Sequence, residues 1–282
     1  QVCFTLYYLS KFTRESGVVV VQVGEGADEL FAGYESYLQA NGLYKYWKIL
    51  EKLPKNLKRG LLNILSNHTS DFYTEYLKRL VKNQNPYWGN AIAFSDHQKE
   101  RLTRESQSYE IIQCIYSEIS KIDGKADFLK RLTYLEIKQR LPELLLARAD
   151  KFTMAHSLES RVPFLDKRLV ELSFQIPSEM KIKNGNPKHL LKEAVRGIIP
   201  DEIINRKKQG FSTPMKQWLM KESKISSDLI NMIRGSKLKG LGILNYDYVE
   251  SIIADHQLGK VDNNFRIWNL ITLSLWFDKW SK

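Results

Sequence analysis

Residues 18–34 read VVVVQVGEGADELFAGY, and the fold turns on how this stretch is taken. The β-branched run from Val18 to Val23 predicts a buried parallel strand. It ends in Gly24, Glu25 and Gly26, and apolar residues then recur at helical spacing: Leu30, Phe31, Tyr34 and Leu38. Strand, glycine turn and helix start in that order form an anion site, because the first helical N–H groups have no internal partner. The two glycines let the backbone approach a phosphate where a Cβ would clash. Glu25, Asp28 and Glu29 add acid to a place built for negative ligands. A Mg²⁺ ion between carboxylate and phosphate would reconcile them. The plainer reading is that acids near a helix N-terminus stabilise it unaided, by roughly 0.3–1 kcal/mol each.

Further segments narrow the choice. They are LLLARADKFTMAHSLESRVPFLD (144–166), GNPKHLLKEA (185–194) and RKKQGFSTPMKQWL (206–219). With GEGADELFAGY, they resemble in order and spacing the synthetase half of glutamine-dependent asparagine synthetases, which are N-type ATP pyrophosphatases. The usual motif is SGEGSDELFGGY, with Val23 and Ala27 here at its two serines. The resemblance covers most of the chain from Val18 onward and is weakest in the middle third. It implies an α/β remnant over residues 1–40, the end of an adenine-nucleotide α-hydrolase-like parallel sheet. A mostly helical region follows over 41–282, with active-site segments at 144–166 and 185–215.

The same resemblance implies ATP and Mg²⁺ as cofactors and a carbon–nitrogen ligase reaction. A carboxylate, aspartate in the parent family, is adenylated, and ammonia from glutamine then displaces AMP. It assigns Glu25, Glu159 and Lys188 to catalysis. Gly24, Gly26, Asp28, Lys151 and Arg161 fall to ATP and substrate binding, with Asp28 also on the metal. Related lactam-forming synthetases carry Tyr where Glu25 stands, so Glu25 favours amide formation between molecules. The family's SGGxDS pyrophosphate loop occurs nowhere in the sequence, so it is expected before Gln1, and the chain alone is expected to be inactive. A glutaminase domain or subunit outside the chain is the expected ammonia source, since Cys3 lacks the context of a glutaminase nucleophile. Family members also amidate other acids, including sugar acids of surface polysaccharides.

Some of this is supported without the resemblance. Lys188 opens a helix through Leu190, Leu191 and Ala194, where a cation opposes the macrodipole and so calls for an anion. Arg148, Asp150, Lys151, Glu159 and Arg161 lie among Phe152, Met154, Ala155 and Leu158. Charges set among apolar residues predict a half-buried polar network or helix-anchoring ion pairs. Asp166 reads as the cap of the next helix.

The rest of the chain reads as packing. Helices are predicted over 4–12, 106–120 and 126–146, with Pro142 as a kink or a fresh start. Residues 34–80 read as broken helices, one face carrying Tyr44, Trp47, Ile49 and Leu50 and the next Leu57, Leu61, Ile64 and Leu65. The run Lys45, Lys48, Lys52, Lys55, Lys58 and Arg59 reads as a solvated face. Met180–Lys183 reads as a short extended piece, Phe211 as packing, and Phe265, Trp268, Leu270, Ile271, Leu275 and Trp276 as a terminal core helix.

Composition excludes little. Hydrophobic residues at 43% and charged residues at 27% suit a globular domain, with no run long enough to span a bilayer. A cytoplasmic location follows as an expectation, with Cys3 and Cys114 as free buried thiols. Residues 1–150 hold 21 basic against 18 acidic side chains, and 151–282 hold 22 against 14. The excess in the second half fits a funnel for ATP and pyrophosphate, a nucleic-acid face, or an uninformative surface compensated by an acidic domain elsewhere. A non-catalytic basic helical protein binding nucleic acid or a partner subunit is the alternative of another class. No binding motif supports nucleic acid, so the expected partners are a small carboxylate and ammonia, with no nucleic acid and no membrane. A homodimer stays open.

Overall fold

In a computed structural model the chain is described over residues 2–66, 71–103, 108–207 and 213–281. Helix α1 (Cys3–Glu15) leads to strand β1 (Val20–Gln22), short helix α2 (Ala27–Phe31) and long helix α3 (Glu35–Leu50). Four helices follow: α4 (Lys55–Leu65), α5 (Asp71–Val81), α6 (Asp96–Thr103) and α7 (Ser108–Ile122). Helix α8 (Phe128–Lys138) continues through a π-helical turn (Leu141–Leu146) into α9 (Ala147–Met154). Pro142 explains the break: a proline cannot supply the N–H that an uninterrupted α-helix needs.

Strand β2 (Glu159–Arg161) pairs in parallel with β1, placing Val20 opposite Glu159 and Gln22 opposite Arg161. Then come α10 (Lys167–Gln175), α11 (Ser178–Lys181), α12 (His189–Ala194) and α13 (Asp201–Asn205). The last helices are α14 (Met215–Leu219), α15 (Ser226–Arg234), α16 (Tyr246–Gln257) and α17 (Asn264–Trp280). The architecture is therefore helical with a small parallel α/β part. Two strands do not establish the wider adenine-nucleotide α-hydrolase-like sheet.

Packing divides the chain into two compact units that cross the division expected at residue 40. One gathers residues 1–5, 92–108 and 210–282 around Ile230, Ile233, Val249, Ile253 and Ile267, all nearly or fully buried. The other, 6–91 and 109–209, has its main core on α3, α7 and α8, with Tyr37, Ile112, Leu129, Leu132 and Leu135 at its centre. Each such side chain contributes roughly 1.5–3 kcal/mol on burial. The candidate site residues all lie in this second unit.

Several expectations are corrected here. The valine run is exposed at Val18, Val19 and Val20, and only three residues form the strand. Hydrophobicity alone specified burial, but burial of a parallel strand needs helices over both of its faces. Lys58 is buried, its ammonium 2.9 Å from the Asn83 side chain, while Leu57 and Ile64 on the same helix are exposed. Ile49 is exposed as well. Met180 and Lys181 are helical, because the turn at Asn184–Gly185, both at positive φ, comes too soon for a strand. Helix α17 buries Leu270 and Ile271 but exposes Phe265, Leu275 and Trp276, since a surface helix covers one stripe only. Cys114 is exposed and Cys3 half-buried, both as free thiols. Phe211 lies outside the described residues.

Candidate functional site

The Val23 N–H donates to the Arg161 carbonyl at 2.9 Å, so the glycine turn begins where the strand pair ends. Gly26 has φ +95°, and a Cβ there would run into the Leu165 side chain. Only glycine fits. Around Gly24, by contrast, nothing lies within 4 Å of an added Cβ. Packing requires Gly26, whereas Gly24 leaves open space of the kind a close-approaching ligand needs.

Helix α2 has five residues and stops at Ala32, which takes a left-handed φ of 55°. The apolar period from Leu30 to Leu38 thus spans two helices rather than one. So short a helix carries little macrodipole, and side chains rather than the helix end supply the charge. Asp28 and Lys188, 160 positions apart, meet at 2.8 Å. Gly33 makes room for them: a Cβ there would strike both the Asp28 carboxylate and the Lys188 side chain. Lys188 itself takes a left-handed φ of 55° as the residue capping α12. The anion that its helix-end position calls for is therefore supplied by Asp28.

Glu25 is half-buried beside this pair. Burial raises its carboxyl above the ordinary carboxylate range, opposed first by Arg148, with Glu29 and Asp28 raising it further and Arg140 lowering it. A carboxyl shifted toward neutrality is a better proton acceptor at physiological pH. Arg148, on α9, has a buried Nε without a hydrogen-bond partner among the described residues.

Behind the turn lies a network in which Glu29, read from sequence as an acid of the ligand site, is instead joined to Glu136 and Arg140, to which sequence gave no role. Glu29 is buried and accepts the Tyr34 hydroxyl at 2.7 Å. Glu136 on α8 is fully buried and accepts the Tyr87 hydroxyl at 2.6 Å and the Asn90 N–H at 2.7 Å. Arg140 lies between the two carboxylates. The sequence signal was there: Glu136 and Arg140 are one helical turn apart and flanked by Leu132, Leu135 and Leu141. Charges so flanked belong inside.

Among the remaining candidates, Arg161 meets the start of the turn through its backbone carbonyl. Glu159 and Arg161 pair with each other at 2.6 Å, both more than half exposed. Among the described residues no hydrogen bond or ion pair joins either side chain to Glu25, Asp28 or Lys188. Lys151 is exposed on α9. Asp166 caps α10, accepting the Arg168 N–H at 2.9 Å, as expected. A cleft of 1470 Å³ between α3, α7 and α8 is lined by none of the candidate site residues. Among the described residues no three acids, histidines or cysteines cluster to hold a metal, and no helix is long and apolar enough to cross a membrane.

Comparison with known proteins matches the chain to the asparagine synthase family over residues 1–278. Asparagine synthetase [glutamine-hydrolyzing] 1 of Bacillus subtilis is 34% identical over 277 residues, 96% of this chain and 42% of that protein. A putative asparagine synthetase [glutamine-hydrolyzing] of Mycobacterium bovis is 28% identical over 96% of this chain and 41% of its own length. Amidase chyE of Penicillium rubens is 28% identical over 74% of this chain and 34% of its length. The chain thus spans about two fifths of the first two relatives. No solved structure matches it. The match over nearly the whole length leads to one assignment: the chain belongs to the asparagine synthase family.

Proposed function

We propose that this chain supplies the synthetase part of an ATP-dependent amide-forming ligase. The observation that carries the proposal is the Asp28–Lys188 pair, a carboxylate and an ammonium brought together across Gly33 from 160 positions apart. In the proposed reaction a substrate carboxylate oxygen attacks the α-phosphorus of ATP. An acyl-adenylate forms and pyrophosphate leaves. Neutral ammonia then attacks the acyl carbon, AMP departs, and the nitrogen gives up a proton.

The pair fits a magnesium-bound pyrophosphate group. Asp28 would hold a Mg²⁺ ion through its single carboxylate, no acid cluster being found among the described residues. When bound, the metal would neutralise phosphate charge. Lys188 turns from Asp28 to the leaving oxygens, where a fixed cation lowers the barrier as charge develops. Glu25, raised by burial, holds the position of base toward the incoming nitrogen. Gly24 leaves its side of the turn open to the nucleotide. Arg148, whose Nε has no hydrogen-bond partner among the described residues, is a further donor for the substrate.

Aspartate as acceptor and glutamine as nitrogen source are the reading that the names of the Bacillus and Mycobacterium relatives favour. The Penicillium relative is named an amidase; a second acceptor class, such as a sugar acid, is the alternative that the family resemblance allows. Exchange of labelled pyrophosphate into ATP decides between them in the whole enzyme. Exchange that requires aspartate supports asparagine formation, and exchange that requires a uronic acid supports the second class. No exchange with any carboxylate overturns the synthetase reading.

A further inference from the structure

One guanidinium serves two buried carboxylates. Arg140 Nη1 is 3.7 Å from Glu29 Oε1 and 3.5 Å from Glu136 Oε2, while Glu29 is 1% exposed and Glu136 not at all. Neither distance is that of a strong charged hydrogen bond. The cation therefore sits between the acids and is committed to neither. Its guanidinium also lies over the Tyr34 ring, 4.5 Å from the centroid. Burying two carboxylates against one cation is costly, and the Tyr34, Tyr87 and Asn90 donors complete their hydrogen bonding.

This arrangement links two elements of different standing. Helix α8 is core, with Leu129, Leu132 and Leu135 all buried. Helix α2 is a single short turn that follows the glycines and is left at Ala32 by a left-handed residue. The charged groups that face Glu25 are Arg148 and Arg140 on the cationic side, Glu29 and Asp28 on the anionic side. Arg140 adds an ionic link to α8, through Glu136.

We propose that Arg140 is a positioning residue: bridging Glu29 and Glu136, it fixes the turn carrying Glu25 and Asp28 to α8. The proposal rests on Glu25 as the base of the amide-forming reaction, but the coupling of Arg140 to Glu25 is measurable without turnover.

The measurement is a ¹³C-carboxyl NMR titration of Glu25 in the 282-residue chain, with the resonance assigned by Glu25→Gln. Arg140→Gln should move the Glu25 midpoint upward by about one pH unit, as loss of a nearby cation does. Arg140→Lys keeps the charge and should leave the midpoint in place. A second neutral variant, Glu136→Gln with Arg140→Gln, removes one buried acid along with the cation and protects folding; it should show the same upward shift. A folded neutral variant with an unmoved midpoint overturns the proposal, as does an equal shift in Arg140→Lys. Failure of both neutral variants to fold also overturns it, since the role is then structural only. If the midpoint moves but the whole enzyme never exchanges pyrophosphate, the coupling stands and the synthetase reading falls.

Discussion

At the scale of single residues, the site depends on charges that each need a partner. Lys188 and Asp28 are about a quarter exposed and satisfy one another at 2.8 Å. A partly exposed pair is worth about 1 kcal/mol or less to stability, so its placement is explained better by ligand chemistry than by folding. Lys188→Ala in the whole enzyme should therefore cut kcat by roughly 10²–10³-fold, the size seen when one transition-state donor is removed. The melting temperature should barely change. A variant that kept its rate would separate Lys188 from the chemistry.

Glu25 gives a second residue-scale prediction with a definite sign. Its folded-state pKa is raised by burial, so the folded chain binds its proton more tightly than the unfolded chain. Stability from this group is then fully present at low pH and is lost as pH rises through the raised value. Glu25→Gln should stabilise the chain at pH 7, and the gain should vanish below the ordinary carboxylate range. Thermal melts at pH 7 and pH 4 measure it; equal melting of parent and variant at pH 7 would contradict the burial cost.

Elements show where reading from sequence succeeds and where it stops. Local signals placed α1 and the Asp166 cap correctly, because each depends on neighbouring residues alone. The Val18–Val23 run failed as a buried strand because burial is set by what packs over it. Lys58 failed as a solvated residue because its partner, Asn83, is 25 positions away. Of the site, the glycine turn, Asp28 and Lys188 were named from sequence, but the bare Cα needed at Gly33 and the Arg140 network behind the turn were not. Gly33 shows why: its need for a bare Cα appears only once Asp28 and Lys188 are seen beside it.

The glycines therefore separate folding from binding. Gly26→Ala meets both a positive φ and the Leu165 side chain and should cost about 1–2 kcal/mol or more. Gly24→Ala has open space and should fold with unchanged stability, yet weaken nucleotide binding in the whole enzyme. Denaturant titration alongside ATP affinity tests the pair; equal destabilisation by both would remove the ligand-based explanation for Gly24.

At the scale of the whole molecule, the two units were not legible because their unity is non-local. The first joins residues 92–108 to 210–282 through contacts such as the Asn245 N–H to the Leu102 carbonyl at 2.8 Å and Arg266 to the Ala93 carbonyl at 3.1 Å. The second leaves an apolar surface on its own α/β part, where Tyr8, Leu9, Phe12, Val18, Val19 and Val20 are all exposed. An exposed apolar strand with one neighbour offers its other edge as a template for pairing. The 282-residue chain at tens of micromolar should accordingly self-associate and bind a hydrophobic dye. Val19 points outward, at 53% exposure, and its backbone carbonyl accepts the Glu159 N–H at 2.9 Å. Val19→Lys with Phe12→Glu should therefore leave the fold unchanged while placing charge on that surface. Sedimentation velocity of parent and double variant reads the outcome: the variant should move toward a single slow species at the same loading. If both sediment alike as larger species, association arises elsewhere, and the exposed α1–β1 surface is not what brings copies together.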